Sequence, residues 1–142
     1  MYSIPVRDRP AETIEGRVQN VMQSKQKKIL IVDDEPDILE FMQVILEEEG
    51  YVVLTTEKGE FLQKLRNEGL PDLILLDMLL SGKDGREIVK QLKHQEDTKH
   101  IPVIMLSAHP TARQTALEAG ADDFIAKPFD IDDLLSRVAL NL

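Results

Sequence analysis

From Lys28 onward the chain alternates short apolar runs with longer amphipathic stretches, five times over. An apolar run fit for burial on both faces, followed by a segment of helical periodicity, is the pattern of a βα unit. Units in series wind a parallel sheet covered by helices. The strand candidates are Ile29 to Val32, Tyr51 to Thr55, Asp72 to Leu76, Pro102 to Leu106 and Asp122 to Ala126. Between them, Asp37 to Glu48 places Ile38, Phe41, Met42, Ile45 and Leu46 on one face, with Pro36 in the first turn and Gly50 at the stop. Glu60 to Asn67 turns Phe61, Leu62 and Leu65 inward, and Gly85 to His94 does the same with Ile88, Val89 and Leu92. Thr111 to Ala119 reads as an alanine-rich helix stopped by Gly120. The last helix starts at Asp130 as its N-cap and carries Leu134, Leu135, Val138 and Leu140 inward. The expected fold class is α/β, a doubly wound five-stranded parallel sheet with helices on both faces.

A length of 142 residues with 42% hydrophobic residues suits one ordinary domain. The chain ends at Leu142, directly after the last helix, so the expectation is that output passes through the domain's own surface. Seventeen basic against 26 acidic residues give a formal charge of −9, which opposes direct binding to nucleic acid or to an anionic membrane. There is no cysteine and no apolar run near the ~20 residues of a membrane span, so a soluble cytoplasmic protein is expected. Residues 1–28 hold six basic and three acidic residues, a charge of +3 that leaves −12 for the remainder. That asymmetry predicts a tail over residues 1–26, disordered or weakly helical, ahead of a compact acidic domain over 27–142. Ile14, Val18, Val21 and Met22 stand at helical spacing in the tail, while Gly16 and Asn20 weaken a helix there.

In such a sheet the ligand crevice lies beyond the carboxyl ends of the strands, where the strand order reverses. Strand one ends in Asp33 and Asp34, strand three in Asp77, strand four in Ser107 and strand five in Lys127. With the order 2-1-3-4-5, strands one and three are neighbours and three carboxylates converge. Their repulsion is relieved by a hard dication, and Mg²⁺ favours a few carboxylate oxygens completed by water and phosphate. Asp33 and Asp34 could instead cap the helix that opens at Pro36. Asp77 has no helix to cap, because Met78, Leu79 and Leu80 follow it. Lys127 can offset the acidic cluster or pair with a phosphoryl oxygen, and Ser107 adds a hydroxyl donor. Nucleophile, cation ligands, hydroxyl and ammonium together make a set for phosphoryl transfer onto a carboxylate.

With these residues in place, the sequence resembles a response-regulator receiver domain of two-component signalling, of the single-domain kind, over about residues 27–141. The resemblance rests on Ile-Leu-Ile-Val-Asp33-Asp34-Glu35-Pro36, Leu-Leu-Asp77 followed by Lys83-Asp84-Gly85, Leu106-Ser107-Ala108, and Gly120-Ala121-Asp122-Asp123-Phe124-Ile125-Ala126-Lys127-Pro128-Phe129. It implies a flavodoxin-like fold, Asp77 as phosphoacceptor, Asp33, Asp34 and Asp77 around Mg²⁺ or Mn²⁺, Ser107 as switch hydroxyl and Lys127 on the phosphoryl group. The implied donor is a phosphohistidine on a sensor histidine kinase or a histidine phosphotransfer protein. The implied output is a changed surface on the fourth helix, fifth strand and fifth helix. That surface would meet a downstream protein or a second copy of the chain.

Several positions depart from the commonest pattern of such domains. Ser81 stands where proline is frequent, so the loop after Asp77 is expected to be looser. Phe124 fills the switch-aromatic position without a hydroxyl, so any signal there must come from ring packing. Leu79 and His109, two residues beyond Asp77 and Ser107, sit where water access to an acyl phosphate is modulated, and Leu79 predicts a long-lived phosphoryl group. The Lys127-Pro128 bond is usually cis in this family. Asp84-Gly85 is expected to open the third helix, Asp122 and Asp123 to solvate a turn, and His94, His100 and His109 to lie at the surface without metal-ligand spacing. The chain is thus read as a switch and not as an enzyme acting on outside substrates. A hydrolase would need an acid near Asp77, where Met78 and Leu79 stand. A phosphorylation-independent adaptor with the same fold is the other alternative.

Overall fold

The computed structural model describes residues 26–57, 65, 69–80 and 82–142. Five strands form one parallel sheet: β1 (Lys28–Val32), β2 (Val52–Thr56), β3 (Leu73–Asp77), β4 (Val103–Ser107) and β5 (Asp123–Ala126). Their order across the sheet is β2-β1-β3-β4-β5, the flavodoxin-like order that the resemblance implies. Four helices are described: α1 (Pro36–Glu48), α2 (Gly85–His94), α3 (Ala112–Ala119) and α4 (Ile131–Asn141). A two-residue antiparallel ribbon, Leu79–Leu80 with Lys83–Asp84, folds the chain back after β3.

Because side chains alternate along a strand, each strand feeds two cores. Leu30, Val32, Ile74, Leu76, Val103 and Met105 face α2 and α3. Ile29, Ile31, Leu73, Leu75, Ile104 and Leu106 face α1 and α4. Both faces are covered, which is why β1, β3 and β4 are apolar except for Lys28, Asp77 and Ser107 at their ends.

The helix boundaries follow local chemistry. The Asp84 carboxylate accepts the Arg86 N–H and caps α2, and the Asp130 carboxylate accepts the Asp133 N–H and caps α4. Helix α1 ends in a Schellman arrangement: the Gly50 N–H reaches the Glu47 carbonyl and the Tyr51 N–H the Leu46 carbonyl. Gly50 sits at φ 95°, a conformation that costs glycine little.

Two helical stripes differ from expectation. Phe41 is 48% exposed and Leu39 takes the inward place, because Phe41 stands at the edge of the α1 stripe with its ring 6.4 Å from that of Phe129. Leu140 is 79% exposed, and only Leu134 and Val138 are fully buried on α4. The expected helix over Glu60 to Asn67 lies, Leu65 excepted, outside the described residues, as do Ser81 and nearly all of the tail. No helix among the described residues is long and apolar enough to cross a membrane.

Candidate functional site

Register places the polar strand ends. Asp77 is the last residue of β3, paired with Leu106, and Ser107 is the last residue of β4, paired with Ala126. Both belong to the sheet, one residue further than the apolar runs suggest, because the ladder continues to bond their backbones. The Met78 N–H still reaches the Leu106 carbonyl at 2.8 Å. Gly85 at the start of α2 packs on the same strand end. A Cβ there would lie 2.6 Å from the Asp77 carbonyl oxygen, so only glycine lets α2 approach this closely.

Asp33 is fully buried. Its Oδ1 accepts the Glu35 N–H at 2.9 Å, and its Oδ2 accepts from the Lys127 ammonium at 2.9 Å. The same ammonium stands 3.5 Å from Glu35 Oε1 and 3.6 Å from Asp77 Oδ1. One carboxylate oxygen each from Asp33, Glu35 and Asp77 falls within 4.8 Å of the others. Asp34, half-buried, lies outside this group, and Glu35, to which the sequence assigned no role, lies inside it. Neither Asp33 nor Asp34 takes the N-cap position of α1, which falls to Glu35, with no side-chain cap bond of its own.

The electrostatics follow from one ammonium among three carboxylates. Burial pushes the Asp77 carboxyl up to about 6, and the neighbouring Asp33 charge adds to the rise, against the lowering pull of Lys127. Burial alone would lower the Lys127 ammonium. The hydrogen bond to Asp33 and the charges of Asp77, Asp33 and Glu35 outweigh it and hold the group above its ordinary value, so it is charged at neutral pH. A hard dication fits this donor set, since it would relieve an excess of oxygen anions that Lys127 only partly offsets.

Ser107, Leu79 and His109 line a neighbouring cavity of about 250 Å³ together with Met78 and Arg86. The Ser107 hydroxyl oxygen accepts the His109 N–H at 3.0 Å, which leaves its own hydrogen free to be donated. The His109 ring turns to the Thr111 hydroxyl, 3.0 Å away. Leu79 is 72% exposed at the cavity wall, and its N–H reaches Asp77 Oδ1 only at 3.5 Å. Phe124 is already in the core, 6% exposed. The Lys127-Pro128 peptide is cis.

The remaining acidic pair corrects the sequence reading. Asp122 and Asp123 do more than solvate a turn. The Asp122 carboxylate accepts the Val103 N–H and the Lys93 ammonium, each at 2.8 Å. Asp123 accepts from Arg137, Asn141 and the Phe124 N–H. Side-chain partners 14 to 29 residues distant in the chain leave no local sequence signal.

The family model described as "Response regulator receiver domain" matches residues 29–139. The chain is 40% identical over 114 residues to the phosphate regulon transcriptional regulatory protein PhoB of Escherichia coli (strain K12), covering 79% of this chain and 50% of that protein. It thus spans about half the length of the curated relatives it matches. Among solved structures, the response regulator protein TrrA from Thermotoga maritima, in complex with Mg²⁺ and BeF, aligns with a TM-score of 0.72 at 36% identity, covering 82% of this chain and all of that one. The chemotaxis response regulator CheY4 of Vibrio cholerae aligns with a TM-score of 0.76 at 28% identity, over 83% of this chain and 100% of that one.

Proposed function

The chain belongs to the response regulator receiver domain family, and from that premise we propose that it is a phosphorylation-activated switch whose Asp77 accepts a phosphoryl group from a phosphohistidine donor. The observation that carries this reading is the convergence of Asp33, Glu35 and Asp77 on the single Lys127 ammonium at the end of the sheet where β1 and β3 meet. An Asp77 oxygen attacks phosphorus, the donor's N–P bond breaks, and the departing imidazole takes up a proton as the acyl phosphate forms. Lys127 contacts a phosphoryl oxygen, and the free Ser107 O–H donates to a second. Mg²⁺ or Mn²⁺ held by Asp33 and Asp77, with Asp34 and Glu35 at hand, would supply neutralisation of the charge that builds on the phosphoryl oxygens.

The domain is then its own substrate and turns over nothing external. A sensor histidine kinase or phosphotransfer protein supplies the group. Drawing Ser107 toward the phosphoryl oxygen alters the cavity it shares with Leu79 and His109, and with it the α3-β5-α4 surface offered to a partner or to a second copy. Beryllofluoride with Mg²⁺ is expected to change the NMR spectrum of wild type and leave Asp77→Asn unmoved. An equal response in both proteins would overturn the reading, and no response in either would favour a phosphorylation-independent adaptor.

A further inference from the structure

Glu35 sits at the mouth of the pocket and is mostly exposed, yet its carboxylate reaches both the acidic pair and the ammonium. Its oxygen lies within 4.8 Å of those of Asp33 and Asp77 and 3.5 Å from Lys127 Nζ. The backbone holds it there: its N–H donates to Asp33 Oδ1, and its carbonyl accepts the Leu39 N–H that opens α1. The side chain is therefore placed by the turn and contributes charge rather than structure. A negative charge at this spot acts with opposite sign on the two ligands of the pocket. It attracts a dication. It also repels an incoming phosphoryl group and competes with that group's oxygen for Lys127.

The geometry points to Glu35 as a positioning residue that raises the affinity of the pocket for the divalent cation while lowering its affinity for the phosphoryl group. This deepens the switch reading and rests on it. A free-standing structural residue would move neither quantity, and an ordinary metal ligand would weaken both when lost.

The test is a calorimetric titration of wild type, Glu35→Gln and Glu35→Asp with MgCl₂ alone, followed by beryllofluoride at saturating Mg²⁺. Glu35→Gln is expected to bind Mg²⁺ about three- to tenfold more weakly, as the loss of one charge from a salt-screened group of carboxylates implies. It is expected to bind beryllofluoride about two- to threefold more tightly. Glu35→Asp, which keeps the charge, is expected to stay within about twofold of wild type in both titrations. Unchanged affinities in Glu35→Gln, a shift of both in the same direction, or a Glu35→Asp as altered as Glu35→Gln would overturn the inference. If wild type itself binds neither probe, the switch reading falls instead.

Discussion

At the end of the sheet where the strands begin, Asp72, Asp122 and Asp123 are each matched by donors. Asp72 takes the Lys28 N–H, Asp122 the Val103 N–H and Lys93, and Asp123 the Arg137 and Asn141 side chains. At the end where the strands finish, Asp33, Glu35 and Asp77 crowd around one ammonium. Burial pushes up the carboxyl at Asp123 too, but the Phe124 N–H, Asn141 and Arg137 outweigh it and hold the group below the ordinary carboxylate range. At Asp77 burial and a like charge prevail, and the carboxyl rises to about 6. The first arrangement ties strands and helices together. The second holds charge at a cost to the fold, and on the proposed reading that charge serves to receive a cation and a phosphoryl group.

The sharpest break in this contrast comes from removing the ammonium at each end. Lys127→Met leaves the fully buried Asp33 without its charge partner and is expected to cost about 3–5 kcal/mol without metal, with part regained in Mg²⁺. Lys93→Met, whose partner Asp122 is 41% exposed on its side chain, is expected to cost only about 1 kcal/mol. Urea unfolding with and without Mg²⁺ measures both, and equal losses would erase the distinction.

The next test uses one substitution at opposite ends. The folded protein holds the Asp77 proton up to about pH 6, against 3.8 for the ordinary group. It therefore binds more protons than the unfolded chain between those values, and stability falls as pH rises through that window. Asp77→Asn is thus expected to stabilise the metal-free protein by about 1–3 kcal/mol at pH 7, and by nothing below about pH 4. Asp123 has the opposite sign, its contribution being present above the unfolded value and lost as pH falls through the depressed one. Asp123→Asn is expected to destabilise by about 1–2 kcal/mol at pH 7. Unfolding curves across pH 4–8 decide it, and a shared sign would refute the account.

The smallest effect concerns water at the crowded end. Leu79, exposed beside Asp77, is expected to shield an acyl phosphate, so Leu79→Asn should shorten the phosphoryl lifetime several-fold. Hydrolysis within minutes in wild type, unchanged by the substitution, would remove that role.

The sheet was legible because burial on both faces leaves apolar runs that few other structures need, as at Ile29 to Val32 and Leu73 to Leu76. Asp33, Asp77, Ser107 and Lys127 were legible as the polar residues that end those runs. Glu35 was not, since its place depends on how the chain turns into α1, which no periodicity records. Phe41 was misplaced because helical spacing identifies a stripe but not its edges, and Leu140 because the spacing does not say where α4 outruns the surface it packs on. Asp122 and Asp123 looked like a solvated turn because their partners come from other elements.

The most direct test of the switch is covalent. Incubation with a small acyl-phosphate donor and Mg²⁺, followed by intact-mass measurement and peptide mapping, is expected to find one phosphoryl group on Asp77, dependent on Mg²⁺ and absent from Asp77→Asn. No incorporation in wild type, or the same incorporation in Asp77→Asn, would contradict it.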